Sequence, residues 1–126
     1  MNASDSRMIT IAILIVITFF SGFRLAKTGK PFNNLLLTSH KLISLALLVL
    51  AVIQFNYLQK LNEINLYLWI LFTAAAALFV LEIISGALLS AYKTERLAGL
   101  VHKVVPFVLL LAFGLLFYLS YLPKHA

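Results

Sequence analysis

The run LLLTSHKLISLALLVLAVIQFNYL, residues 35–58, decides the fold. Roughly 20 apolar residues suffice to carry a helix across the hydrocarbon core of a bilayer, and this run exceeds that length with a single formal charge, Lys41, near its start. Three further runs share its character, at 8–26, 66–92 and 97–122. Of the 126 residues, 63% are apolar and 11% charged, against about half and a quarter in soluble domains. A small domain buries only about 60 to 70% of its unfolded surface, so the bilayer must take up the remaining apolar area. The reading is an all-α integral membrane protein with one domain, 1–126, forming an up-down antiparallel bundle of four transmembrane helices.

The connections KTGKPFNN, QKLNEIN and KTER are short, which sets sequential helices side by side and antiparallel. The first run lies near the N-terminus but is too long for a signal-peptide core. The basic stretch SGFRLAKTGK follows it instead of a small-residue cleavage site, so it is expected to be a span. Arg24, Lys27, Lys30, Lys41, Lys93, Arg96 and Lys103 fall on one side of the membrane, Arg7, Lys60 and Lys124 on the other. By the positive-inside rule the richer side is cytoplasmic. This predicts a bacterial-type cytoplasmic (inner) membrane with both termini outside the cytoplasm. The net charge of +6 is accounted for by these flanking residues, and no nucleic-acid partner is expected. Cysteine is absent, which excludes disulfides, thiolate nucleophiles and cysteine-held metals.

Two short words repeat. His40-Lys41 returns as His102-Lys103, and Ser21-Gly22 returns as Ser85-Gly86, at offsets of 62 and 64 residues. The chain therefore reads as two helical-hairpin pseudo-repeats, glycine on the first helix and histidine on the second. His40 lies about eight residues beyond Phe32 and His102 about six beyond Arg96, so both sit roughly 9 to 12 Å in from the basic side. In a square bundle visited in order, helices two and four are diagonal partners. Two imidazoles approaching the axis from opposite sides suit an axially ligated planar metal cofactor, with Gly22 and Gly86 at similar depth making room for it. Small-residue contacts between membrane helices explain the glycines equally well, but they leave the matched histidines unexplained.

This arrangement resembles the haem-binding four-helix bundle of the membrane b-type cytochromes, including the cytochrome b of quinol-oxidising respiratory complexes. The resemblance is one of pattern over essentially the whole chain. It implies one haem b per chain, with His40 and His102 as iron ligands and Ser21, Gly22, Ser85 and Gly86 lining the cofactor. The second histidine pair of the respiratory proteins has no counterpart, because Ile53 and Leu115 stand about where it would be. It further implies electron transfer with a quinone or a separate redox protein, since the chain has no room for a flavin or nicotinamide domain. The protein would be an electron carrier or subunit rather than a stand-alone enzyme.

Arg24, Lys41 and Lys103 are candidates to pair with haem propionates, or serve as ordinary interfacial anchors. Glu82 is the only carboxylate within a span and, by i, i+4 spacing, shares a helix face with Gly86. Thr18 holds the matching position below Gly22. Glu82 is a candidate proton or quinone site; the plainer alternative is a carboxyl bonded to a neighbouring hydroxyl. Pro106 follows His102 by four residues and removes the helical bond to its carbonyl. Tyr57, Tyr67, Trp69, Tyr118 and Tyr121 read as an interfacial aromatic belt, and His125 as solvated. Two other functions stay open: a small proton-coupled transporter using Glu82, and a cofactor-free structural subunit of a membrane complex. Small multidrug-resistance transporters carry their glutamate in the first helix, a poor match. Besides the lipid bilayer, copies of the chain are candidate partners, since a dimer could bring together histidines of two chains.

Overall fold

The computed structural model of the protein describes residues 2–61, 65–91 and 96–121. They form four helices: α1 (Ala3–Thr28), α2 (Asn34–Leu61), α3 (Leu66–Ala91) and α4 (Arg96–Tyr121). Each is long and apolar enough to cross a membrane. The 26 residues of α1 extend about 39 Å, against about 30 Å of hydrocarbon. The most apolar window of α3 is only 22% buried within the protein, so most of its surface is left for lipid. This is a membrane protein built from four long apolar helices.

Side-chain oxygens set the helix starts. Asn2 Oδ1 accepts from the Asp5 backbone N–H at 2.9 Å while Asp5 Oδ2 accepts from the Asn2 N–H at 3.3 Å, a reciprocal capping box. α1 therefore begins at Ala3, five residues ahead of the apolar run. Asn33 Oδ1 accepts from Leu36 N–H at 3.1 Å and Asn65 Oδ1 from Leu68 N–H at 3.0 Å, so asparagine satisfies otherwise orphaned donors at α2 and α3 as well. α1 stops at Gly29, whose φ of +66° suits a residue without Cβ and whose N–H reaches Leu25 O at 3.0 Å.

The chain divides into two compact units, Met1–Tyr57 and Leu58–Ala126. In the first, α1 and α2 run antiparallel, since Ser4 meets Gln54 near one end and Ser21 meets His40 near the other. In the second, α3 and α4 do the same: Ser85 meets His102, and Phe79 packs edge-on against Phe113, centroids 6.3 Å apart, which in turn stacks on Phe117 at 6.1 Å. The two hairpins expected from the repeated words are thus present. Of the belt aromatics, Tyr67 and Tyr118 are largely exposed. The expectations for Tyr92, Lys93, Leu122, Lys124, His125 and the Tyr121 side chain lie outside the described residues.

The first hairpin is clasped at the end away from its loop. Gln54 is fully buried; its Oε1 accepts from Arg7 Nε at 2.8 Å and its Nε2 donates to Ser4 Oγ at 2.8 Å. The Arg7 guanidinium also lies 4.8 Å over the Tyr57 ring, within cation–π range. Interhelical hydrogen bonds in membranes average below 1 kcal/mol, but a charged donor left without its acceptor costs more. Gln54→Leu is expected to destabilise the protein by about 1–2 kcal/mol, read as a lower midpoint in detergent-based thermal unfolding followed by circular dichroism. An unchanged midpoint would show that Arg7 snorkels to the interface without loss.

Candidate functional site

Each hairpin places a histidine equally far into its second helix. His40 is six residues into α2 from Asn34, and His102 six into α4 from Arg96, roughly 9 Å along either helix. Against each ring lies the helix that precedes it in the chain, at the words TFFSG (18–22) and EIISG (82–86). A helix puts positions i, i+3 and i+4 on one face, so Thr18, Ser21 and Gly22 share a face of α1, and Glu82, Ser85 and Gly86 share one of α3.

The glycines admit the imidazoles. A Cβ added at Gly22 would lie 3.2 Å from His40 Cε1, and one added at Gly86 only 2.8 Å from His102 Cε1. Each ring therefore rests on bare backbone of its own hairpin, a closer role for the glycines than room for a cofactor alone. The serines, singled out in sequence merely as small, prove to be hydrogen-bond partners. Ser21 Oγ donates to Thr18 O at 3.0 Å and lies 2.7 Å from His40 Nδ1. With His40 Nδ1 protonated, the Ser21 hydroxyl keeps its own proton on the Thr18 carbonyl and accepts from the ring.

The second hairpin repeats this and adds a carboxylate. Ser85 Oγ donates to Glu82 O at 2.9 Å and lies 3.2 Å from His102 Nδ1. The same nitrogen is 3.1 Å from Glu82 O and 2.8 Å from Glu82 Oε1. A backbone carbonyl can only accept, so His102 Nδ1 carries a proton, and three acceptors surround it. In both rings an Nδ1–H neutral tautomer puts the lone pair on Nε2, the nitrogen through which a histidine so anchored binds a metal. Glu82 is mostly buried, its side chain 14% exposed, and its Oε2 has no hydrogen-bond partner among the described residues.

The histidine carbonyls are treated differently. Ser44 Oγ donates to His40 O at 2.7 Å. The matching position after His102 is Pro106, inside α4, which has no N–H to give. Arg24, Lys41 and Lys103 are exposed, at the loop ends of their hairpins, where anionic headgroups or other anions would meet them. Among the described residues no three His, Cys, Asp or Glu side chains gather into a site that could hold a metal ion. What each hairpin offers is one oriented imidazole, the donor that a macrocycle-held iron takes axially.

The sequence reading grouped glycine with histidine but did not foresee the serine acceptors or the Glu82–His102 contact. The i, i+3, i+4 spacing of Glu82, Ser85 and Gly86 was the available signal for a common face. Comparison of the chain with known protein families, with characterised proteins and with solved structures finds no match. The duplicated geometry therefore carries the functional argument alone.

Proposed function

We propose that the chain is a small membrane b-type cytochrome that holds one haem b through His40 and His102 and exchanges electrons with a quinone or a separate redox protein. One observation supports this above the rest. Two hairpins of otherwise different sequence build the same support, in which a serine bonded to the carbonyl three residues before it stands within hydrogen-bond distance of the imidazole Nδ1 while a glycine admits the close approach of the ring. Packing alone asks for no such duplication. When bound, haem supplies a reversible one-electron iron couple, and two histidine ligands make that iron low-spin and suited to outer-sphere transfer.

The chain's own residues do the rest. Ser21 and Ser85 hold the ring orientation and tautomer, as outer-shell partners of metal-bound histidines commonly do. Gly22 and Gly86 let the rings lie against the backbone. Arg24, Lys41 and Lys103 at the loop ends are placed to meet propionates, and the apolar spans keep water from the iron. The haem would then lie near the basic side, cytoplasmic by the positive-inside rule, in a bacterial-type inner membrane.

The test is a dithionite-reduced minus oxidised absorption spectrum of detergent-purified protein, with a pyridine haemochrome assay. Sharp low-spin bands at about one haem per chain are expected. A colourless protein from haem-replete cells would sink the reading. A second reading, a proton-coupled transporter, is favoured by the buried Glu82 Oε2 that lacks a partner among the described residues; Glu82-dependent transport into vesicles would then be measured next.

A further inference from the structure

We infer that Glu82 is a positioning residue that makes the two imidazoles unequal, so that His102 is the stronger electron donor and the reduction potential of the iron it would ligate is lowered. The inference rests on the haem reading above. Its basis is a comparison the molecule itself supplies. TFFSG and EIISG put Thr18 and Glu82 at the same place relative to the serine and glycine that meet His40 and His102. Thr18 turns away from the ring, its Oγ1 donating to Leu14 O at 2.7 Å. Glu82 turns toward it, its Oε1 lying 2.8 Å from His102 Nδ1.

His40 therefore gives its Nδ1–H to the neutral Ser21 hydroxyl, whereas His102 gives its own to a cluster that includes a carboxylate. Hydrogen bonds with one ionised partner are shorter and roughly twice as strong as neutral ones, and the low dielectric of a membrane interior strengthens them further. A carboxylate accepting the outer N–H of a metal-bound imidazole raises the basicity of the coordinating nitrogen. A more basic ligand favours the more highly charged ferric state, and hydrogen bonding around axial ligands is one of the levers that set haem potentials.

The experiment compares wild type with Glu82→Gln, which keeps the length and one acceptor oxygen but removes the charge, and with Glu82→Thr, which copies the first hairpin. Redox titration of the haem-loaded full chain is expected to show both variants shifted toward the ferrous form by at least about tenfold in the ferrous/ferric ratio, equivalent to about 59 mV for one electron. In the haem-free full chain labelled at histidine, the Nδ1–H proton of His102 should resonate downfield of that of His40, and Glu82→Thr should erase the difference. Haem-loaded variants with an unchanged potential, or indistinguishable resonances in wild type, would overturn the role of Glu82 while leaving the haem reading intact. A wild-type chain that takes up no haem would overturn the haem reading and the claim on potential with it. The resonance comparison, made without haem, would still decide whether Glu82 holds His102.

Discussion

Purified His40→Ala and His102→Ala proteins are expected to lose the low-spin haem spectrum, each variant alone, while their helical circular dichroism stays at the wild-type level. The magnitude follows from a ladder of effects. Removing an outer-shell partner of a metal-bound histidine commonly costs about 10–100-fold in affinity, so Ser21→Ala and Ser85→Ala should weaken haem retention by amounts of that order. Removing the ligand itself takes away the bond to iron as well as the group the serine was holding, and the loss should exceed about 100-fold. Both rings are partly exposed and rest on glycine backbone, so alanine leaves space rather than a clash, and neither hairpin should come apart. Added imidazole is expected to restore part of the spectrum in either variant by filling the vacated position. Pyridine haemochrome analysis of protein purified with and without imidazole reads this directly. If only one of the two variants lost its haem, the iron would have a single protein ligand from this pair, and the low-spin assignment would fail with it.

The helices were legible in the sequence because membrane spanning leaves a coarse signal: long apolar runs bounded by charge, with Gly29 and Pro31 in the first loop. The early start of α1 was not, because Asn2 and Asp5 act through capping hydrogen bonds in a polar segment that hydropathy ignores. The position of His40 and His102 along their own helices follows from counting residues, and each stands six residues beyond the first of its helix. What sequence could not supply was the register between neighbouring helices. Spacing alone places Glu82, Ser85 and Gly86 on one face of α3, but which α4 side chain that face meets depends on how the two helices slide along each other. The same holds for Gln54, which reads as an isolated polar residue in an apolar run until α1 brings Arg7 and Ser4 against it. The difference between Thr18 and Glu82 was visible as two letters. Its chemical meaning required knowing that one side chain bonds its own helix and the other a histidine.

Glycine substitutions should separate the role of these positions in seating the imidazole from any general role in helix packing. Alanine in place of a helical glycine favours the helix by about 1 kcal/mol, so on secondary structure alone Gly22→Ala and Gly86→Ala would both be neutral or stabilising. The ring contacts act in the opposite direction and unequally. At Gly86 the new Cβ would lie 2.8 Å from His102 Cε1 and 3.3 Å from Nδ1, closer than such atoms stand, so the ring must move. Any move away from α3 lengthens the Nδ1 bonds to Glu82 and Ser85 together, and those bonds fix the tautomer. At Gly22 the nearest approach is 3.2 Å, which a shift of a few tenths of an ångström relieves while the Ser21 bond survives. Gly86→Ala is therefore expected to lower haem affinity by about 10–100-fold, the scale of a lost outer-shell partner, and Gly22→Ala by less than about tenfold on the same scale. Gly86→Leu should abolish binding. The haem-free thermal midpoint of Gly22→Ala should stay level or rise, while in Gly86→Ala the strained His102 bonds offset the helical gain, so that in both variants the midpoint moves less than the affinity. Equal losses at the two glycines would mean that the rings do not stay seated against them once haem is bound. A fall in haem-free stability that tracked the fall in affinity would assign the glycines to helix packing instead.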